Sequence, residues 1–150
     1  MGCELFLGQI YLEGTKGTGI SQDYAEAAKW LRKAAEQDNA KAQSSLGELY
    51  AKGNGVPQDY TEAAKWYRKA AEQGNPDAEI KLALAYEEGR GVPQDYVQAL
   101  MWANVATAAS KGDGQETDAK IRDSIAAKMT PKQIAEAQRL AREWKPATTK

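Results

Sequence analysis

Small and apolar side chains recur along most of this chain with a helical period. Ala42, Leu46, Leu49 and Tyr50 occupy the i, i+4, i+7 and i+8 rows of one helical face, and Ala63, Trp66, Tyr67 and Ala70 are spaced to share another. Between them, Gly53 and Gly55 can take a positive φ and turn the chain, and Pro57 stands just outside the next helix. The two stretches therefore read as a pair of helices joined by a tight loop.

The pair is copied. Gln22-Asp23-Tyr24 returns as Gln58-Asp59-Tyr60 and as Gln94-Asp95-Tyr96; Trp30 returns as Trp66 and Trp102, and Ala34 as Ala70 and Ala106, each at a step of 36 residues. The other helix repeats through Leu7-Gly8 with Tyr11, Leu46-Gly47 with Tyr50, and Leu82-Ala83 with Tyr86. The first connecting loop is three residues longer, so Tyr11 and Tyr50 lie 39 apart. Self-similarity at such a period marks a solenoid, in which each unit buries its apolar face against its neighbours. An all-α fold is expected, a single domain over 1–150 with repeats at about 1–38, 39–74 and 75–112.

The helix ends agree with this register. Asp23 with Glu26, Asp59 with Glu62 and Asp95 with Gln98 have the spacing of capping boxes. Gly74 ends a helix, Asn75 caps the next, and Pro76 suits its first turn. Gly47 costs about 1 kcal/mol inside a helix, which predicts a close crossing with Ala63 and Ala70, Trp66 and Tyr60 filling the space on either side. The rows Trp30/Trp66/Trp102 and Tyr24/Tyr60/Tyr96 are expected in the core, because a ligand site is seldom copied at every repeat.

After Gly112-Asp113-Gly114 the repeat stops, and two more helices are predicted at about 115–129 and 131–144. Ile121, Ile125 and Met129 form one stripe; Thr130-Pro131-Lys132-Gln133 is a capping box, and Ile134, Ala137, Leu140, Ala141 and Trp144 run down one face. Lys29 and Lys33, echoed by Lys65 and Lys69, become Met101 and Val105 in the third repeat. Lysines turning apolar at the end of an array predict that the last two helices cover them as a cap. Lys145 to Lys150 is expected to fray.

Composition narrows the function. The 150 residues carry a net charge of −1 with both signs interspersed, unlike the basic stripe of a nucleic-acid or anionic-membrane partner. No apolar run approaches the roughly 20 residues of a membrane span. Histidine is absent, which removes Ser-His-Asp and Cys-His chemistry and histidine metal sites. The lone Cys3 permits no intramolecular disulfide. The loop glycines lack the strand and Lys-Ser/Thr of a phosphate loop. No cofactor and no metal are expected. The chain reads as starting inside a helix, as a processed or truncated piece of something longer would. Location is open: cytoplasmic by default, periplasmic or secreted if the chain is processed. A monomer is expected, with dimerisation through the uncapped first helix as the alternative.

The pattern Ala-x3-Leu-Gly-x2-Tyr-x2-Gly-x-Gly-Val-x-Gln-Asp-Tyr-x2-Ala-x2-Trp-x3-Ala-Ala-x2-Gly, read from Ala42 to Gly74, resembles the Sel-one-like repeat (SLR) family, relatives of the tetratricopeptide repeats. The resemblance covers about Cys3 to Gly112; Cys3 stands for the first Ala, Ile20 for the Val, Asp38 for the last Gly and Ala83 for the helical Gly. It implies antiparallel helix pairs in a right-handed superhelix that serves as an adaptor or scaffold for a protein or peptide. By the same resemblance the first helix of each pair lines a groove. That lining is Leu5, Gln9, Leu12 and Glu13, then Ser44, Glu48 and Lys52, then Ile80, Leu84, Glu87 and Glu88. Leu5, Ile80 and Leu84 are apolar where the middle repeat is polar, as suits anchors for a peptide, or packing on a neighbouring repeat or cap.

Two further readings compete. Cysteine-rich relatives have been linked to binding or hydrolysing β-lactams, but those carry a cysteine pair in each repeat, and this chain also lacks the Ser-x-x-Lys constellation. Glu87-Glu88 reads as a solvated helix end rather than an acid/base pair. The last reading is a purely structural fragment of a longer array.

Overall fold

The computed structural model describes residues 2–14 and 22–146; Ile20 and the end of the tail, 147–150, lie outside them. Eight helices follow in order: α1 (Gly2–Glu13), α2 (Tyr24–Glu36), α3 (Ala40–Lys52), α4 (Tyr60–Glu72), α5 (Pro76–Glu88), α6 (Tyr96–Ala109), α7 (Asp113–Ala126) and α8 (Pro131–Glu143). No strand occurs among the described residues. The chain forms two compact units, Met1–Ala70 and Ala71–Lys150.

In the first unit α2 packs on both α1 and α3. The core is built from small residues, Ala27, Ala28, Ala34, Ala35 and Ala42, around the fully buried Leu31 and Leu46. Small side chains let helices approach closely, and Gly47 shows how closely. A Cβ there would lie 2.9 Å from the ring of Tyr67 and 3.2 Å from the carbonyl oxygen of Ala63. Ala63 thus stands at the close crossing as expected, and the ring nearest Gly47 is that of Tyr67. Gly55 is tighter still: its Cβ would fall 2.3 Å from the Tyr24 carbonyl, at a φ of +75°. That loop therefore abuts the first turn of α2, which only glycine allows.

The expected capping boxes at the second helices are only half present. Asp23 accepts from Ala25 and Glu26, Asp59 from Thr61 and Glu62, and Asp95 from Gln98. Their own backbone N–H groups donate instead to Tyr11 O (2.8 Å), Tyr50 O (2.9 Å) and Tyr86 O (3.0 Å), near the end of the preceding helix. With that donor satisfied, Glu26, Glu62 and Gln98 are not needed to reach back. Thr130 and Gln133 do form the complete box. Asp38, at the register of Gly74, holds the same left-handed turn, at φ 65° against 88°.

In the second unit α6 packs against α5, α7 and α8 and is buried nearly all round, through Ala99, Leu100, Met101, Trp102, Ala103, Val105, Ala106 and Thr107. The other second helices differ at this register. Lys33 and Lys29 lie 4.7 and 5.8 Å over the ring of Trp30, and Lys69 and Lys65 lie 4.9 and 5.9 Å over that of Trp66. Over Trp102 the lysines are gone. Trp144 meets it edge-on instead, with centroids 5.5 Å apart, and Met101 and Val105 are buried. From α7 and α8, Ile125 and Ala137 are fully buried.

Candidate partner-binding face

The tryptophan row is core as expected at Trp66 and Trp102, while Trp30 is half-buried. The tyrosine row is not core: Tyr24 is exposed, and Tyr60 and Tyr96 are half-buried. Their hydroxyls accept from the glutamine two residues before. Gln22 donates to Tyr24 (3.0 Å) and to Leu12 O (2.6 Å); Gln58 donates to Tyr60 (3.2 Å) and Ala51 O (2.9 Å); Gln94 donates to Tyr96 (3.3 Å) and Glu87 O (2.8 Å). The Gln-Asp-Tyr triplet is therefore a clamp that fixes the C-terminal end of the first helix in each pair. Those ends carry much of the expected groove lining.

On α1, Leu5, Gln9 and Leu12 are half-buried and Glu13 is exposed. On α3, Ser44 and Glu48 are half-buried, and exposed Lys52 pairs with Glu48 at 2.7 Å. That hydrogen bond, with the carboxylate's charge, raises the Lys52 ammonium above its usual range. Burial raises the Tyr67 phenol, with the Glu48 charge adding to it. The first unit thus offers an apolar and amide face on α1, and a hydroxyl with an ion pair on α3.

On α5 of the second unit, Ile80, Leu84 and Glu87 are half-buried and Glu88 is exposed. Neither acid is free. Glu87, whose side chain is 13% exposed, pairs with Lys128 at 2.8 Å, and Glu88 pairs with Arg90 at 2.8 Å. Lys128 lies 41 residues along the chain, in the turn before α8, so no local spacing announced that pair. Of the two acids that read as a solvated helix end, Glu88 is exposed and Glu87 half-buried, each paired with a cation, and Ile80 and Leu84 are half-buried aliphatic positions of the same helix.

Sequence reading also missed a buried carboxyl beside Ile80. Gln43 on α3 is buried and donates to Ala35 O at 3.1 Å. Glu79 occupies the same register on α5, 0% exposed, and neither of its oxygens has a hydrogen-bond partner among the described residues. Loss of water, together with the charge of Asp118 on α7, pushes its carboxyl up from 4.5 to about 7. Asp118 accepts a 2.5 Å hydrogen bond from Ser110. The buried Trp66 and Trp102 indole N–H groups likewise have no partner among the described residues.

Helix pairs at a fixed step, clamped by one recurring triplet and closed by a different hairpin, define an α-helical repeat protein of the solenoid class. The Sel1 repeat family matches at residues 3–39, 40–75 and 76–113, and the chain belongs to that family. Sel1 repeat proteins generally serve as protein-interaction scaffolds, and their fold is typically non-catalytic. A Sel1 repeat protein from Oxalobacter formigenes is similar, at 37% identity over 79% of this chain and 87% of that one, with a TM-score of 0.67. A protective antigen of uropathogenic Escherichia coli with an SLR fold aligns at 28% identity and a TM-score of 0.76. It covers 94% of this chain, which spans only 37% of the antigen's length. Cysteine rich protein B of Helicobacter pylori, at 24% identity over 75% of this chain and 89% of that one, shares the fold with a TM-score of 0.61. No curated protein matches the sequence. Among the described residues no helix is long and apolar enough to cross a membrane.

Proposed function

We propose that this chain is a non-catalytic adaptor module that binds a protein or peptide through the groove-lining residues of its first helices, α1 and α3 in the first unit and α5 in the second. One observation carries the reading. Leu5 on α1, and Ile80 and Leu84 on α5, are only half-buried. Aliphatic side chains left partly wet among polar neighbours are what an incoming apolar side chain covers. Ser44 and the Glu48–Lys52 pair supply the polar contacts that fix register. With Glu87 and Glu88 already paired to cations, affinity comes from apolar anchors more than from the acids.

The test is a crosslinking pull-down from lysate of the source organism, comparing the native chain with a Leu5→Asp, Ile80→Asp, Leu84→Asp variant of unchanged helicity and melting. Capture by the native chain alone supports the reading and names the partner. Equal capture by both, or by neither, refutes this face as the site.

A further inference from the structure

A second surface feature lies between α6 and α8. In the first two repeats the second helix carries Arg32-Lys33 and Glu36, then Arg68-Lys69 and Glu72, at the same three register positions. In the third repeat these become Asn104, Val105 and Ala108, so all three charges are lost together. Covering by α8 explains only part of the change. Val105 is buried, but Asn104 is half-buried and Ala108 remains exposed. A cleft of about 320 Å³ stays open there, lined by Asn104, Val105 and Ala108 from α6 and by Gln138, Ala141 and Arg142 from α8. That volume falls at the lower end of the roughly 300–1,000 Å³ of small-ligand clefts.

The chemistry of the lining is one-sided. Val105, Ala108 and Ala141 make an apolar floor; Asn104 and Gln138 bring amides, and no lining residue is acidic. Arg142 is exposed at the rim and has no hydrogen bond or ion pair among the described residues. Arg32, Arg90, Arg122 and Arg139 are all engaged, the last by both Glu136 and Glu143. A guanidinium presents a planar fork matched to a carboxylate. An apolar floor in the same small cleft as that fork fits a ligand that carries an apolar group and a carboxylate close together. In a polypeptide the chain's last residue has that arrangement. An internal Asp or Glu instead puts its carboxylate at the tip of its own side chain.

The geometry points to a binding site, in the cleft between α6 and α8, for the free C-terminal carboxylate of a peptide ending in a small aliphatic residue. The aliphatic side chain rests on Val105, Ala108 and Ala141, Arg142 takes the carboxylate, and the two amides are placed to hydrogen-bond the last peptide group. This site is separate from the face proposed above and does not depend on it.

Fluorescence anisotropy with dye-labelled hexapeptides ending in Ala, Val or Leu tests the assignment on the full chain. Each peptide is compared with its C-terminal amide and with an amidated peptide carrying an internal Asp. Saturable binding of at least one free acid is expected, with its amide weaker by about tenfold or more, since a hydrogen bond to a charged group carries that much. Arg142→Gln should cost a similar factor. Ala108→Glu, which restores the acid of the earlier repeats, should block binding by occupying Arg142. Both positions are exposed, and unchanged circular dichroism and melting confirm the fold. No binding by any free acid, equal binding of acid and amide, preference for the internal Asp, or indifference to both substitutions overturns the site.

Discussion

Replacing Glu79 by Gln tests the packing of the second unit most sharply. The carboxyl is buried without a hydrogen-bond partner among the described residues, faces the charge of Asp118, and is raised from 4.5 to about 7. A folded-state pKa above the unfolded one means that the native protein binds more protons between those values. The associated stability is full below about pH 4.5 and is lost as pH rises through about 7. The full difference is about 3 kcal/mol, and about 2 kcal/mol of it is lost between roughly pH 5.5 and 8. Gln removes the titration. It also recreates Gln43, whose amide donates to Ala35 O; the register equivalent of Ala35 is Ala71. Urea unfolding at pH 5.5 and 8 is the assay. Glu79→Gln should raise stability by about 2–3 kcal/mol at pH 8, much less at pH 5.5, and flatten the pH profile between them. An unchanged pH slope in the variant, or equal destabilisation at both pH values, would refute the reasoning.

Other substitutions follow from the same packing. Asp38→Gly should stabilise by roughly 0.5–1 kcal/mol in urea unfolding, because Asp38 holds φ 65° where Gly74 stands in the next repeat. Gly55→Ala should cost at least about 2 kcal/mol in the same assay, since its Cβ would overlap the Tyr24 backbone and its φ is +75°. Trp144→Ala should lower stability by about 3 kcal/mol and reduce near-UV circular dichroism, because Trp144 covers Trp102 edge-on.

Much of the fold was legible because its signals are local or periodic. The 36-residue step placed all three helix pairs, and the switch from Lys29, Lys33, Lys65 and Lys69 to Met101 and Val105 pointed to α7 and α8. The buried Met101 and Val105, with Trp144 on Trp102, support the reading of that hairpin as a cap. The errors fell where one register position serves different neighbours. The small Ala63 stands at Gly47 as read, but the ring nearest it belongs to Tyr67, the neighbour of Trp66 on α4. Tyr24 reads as core by repetition, yet its hydroxyl is held at the surface by Gln22. Asp23 and Glu26 have capping-box spacing, but the reciprocal bond is pre-empted by Tyr11 O, a partner that spacing does not reveal.

The candidate face divides the same way. Its residues were named from the family resemblance, and they lie on the first helices. The pairing of Glu87 was not legible, because Lys128 lies 41 residues away and meets it only in the folded chain.

By itself the sequence determined which segments are helical and which positions correspond between repeats, though it set the seventh helix at about 115–129 where α7 runs Asp113–Ala126. Periodicity, capping side chains and φ preferences act within a few residues and survive in any surroundings. Only the tertiary structure decided that Glu79 is dry beside Asp118, that Glu87 is neutralised from the far side of α7, and that α8 leaves an open cleft under Arg142. Burial and charge pairing depend on distances through space between residues far apart in the chain, and helical periodicity carries no information about those distances.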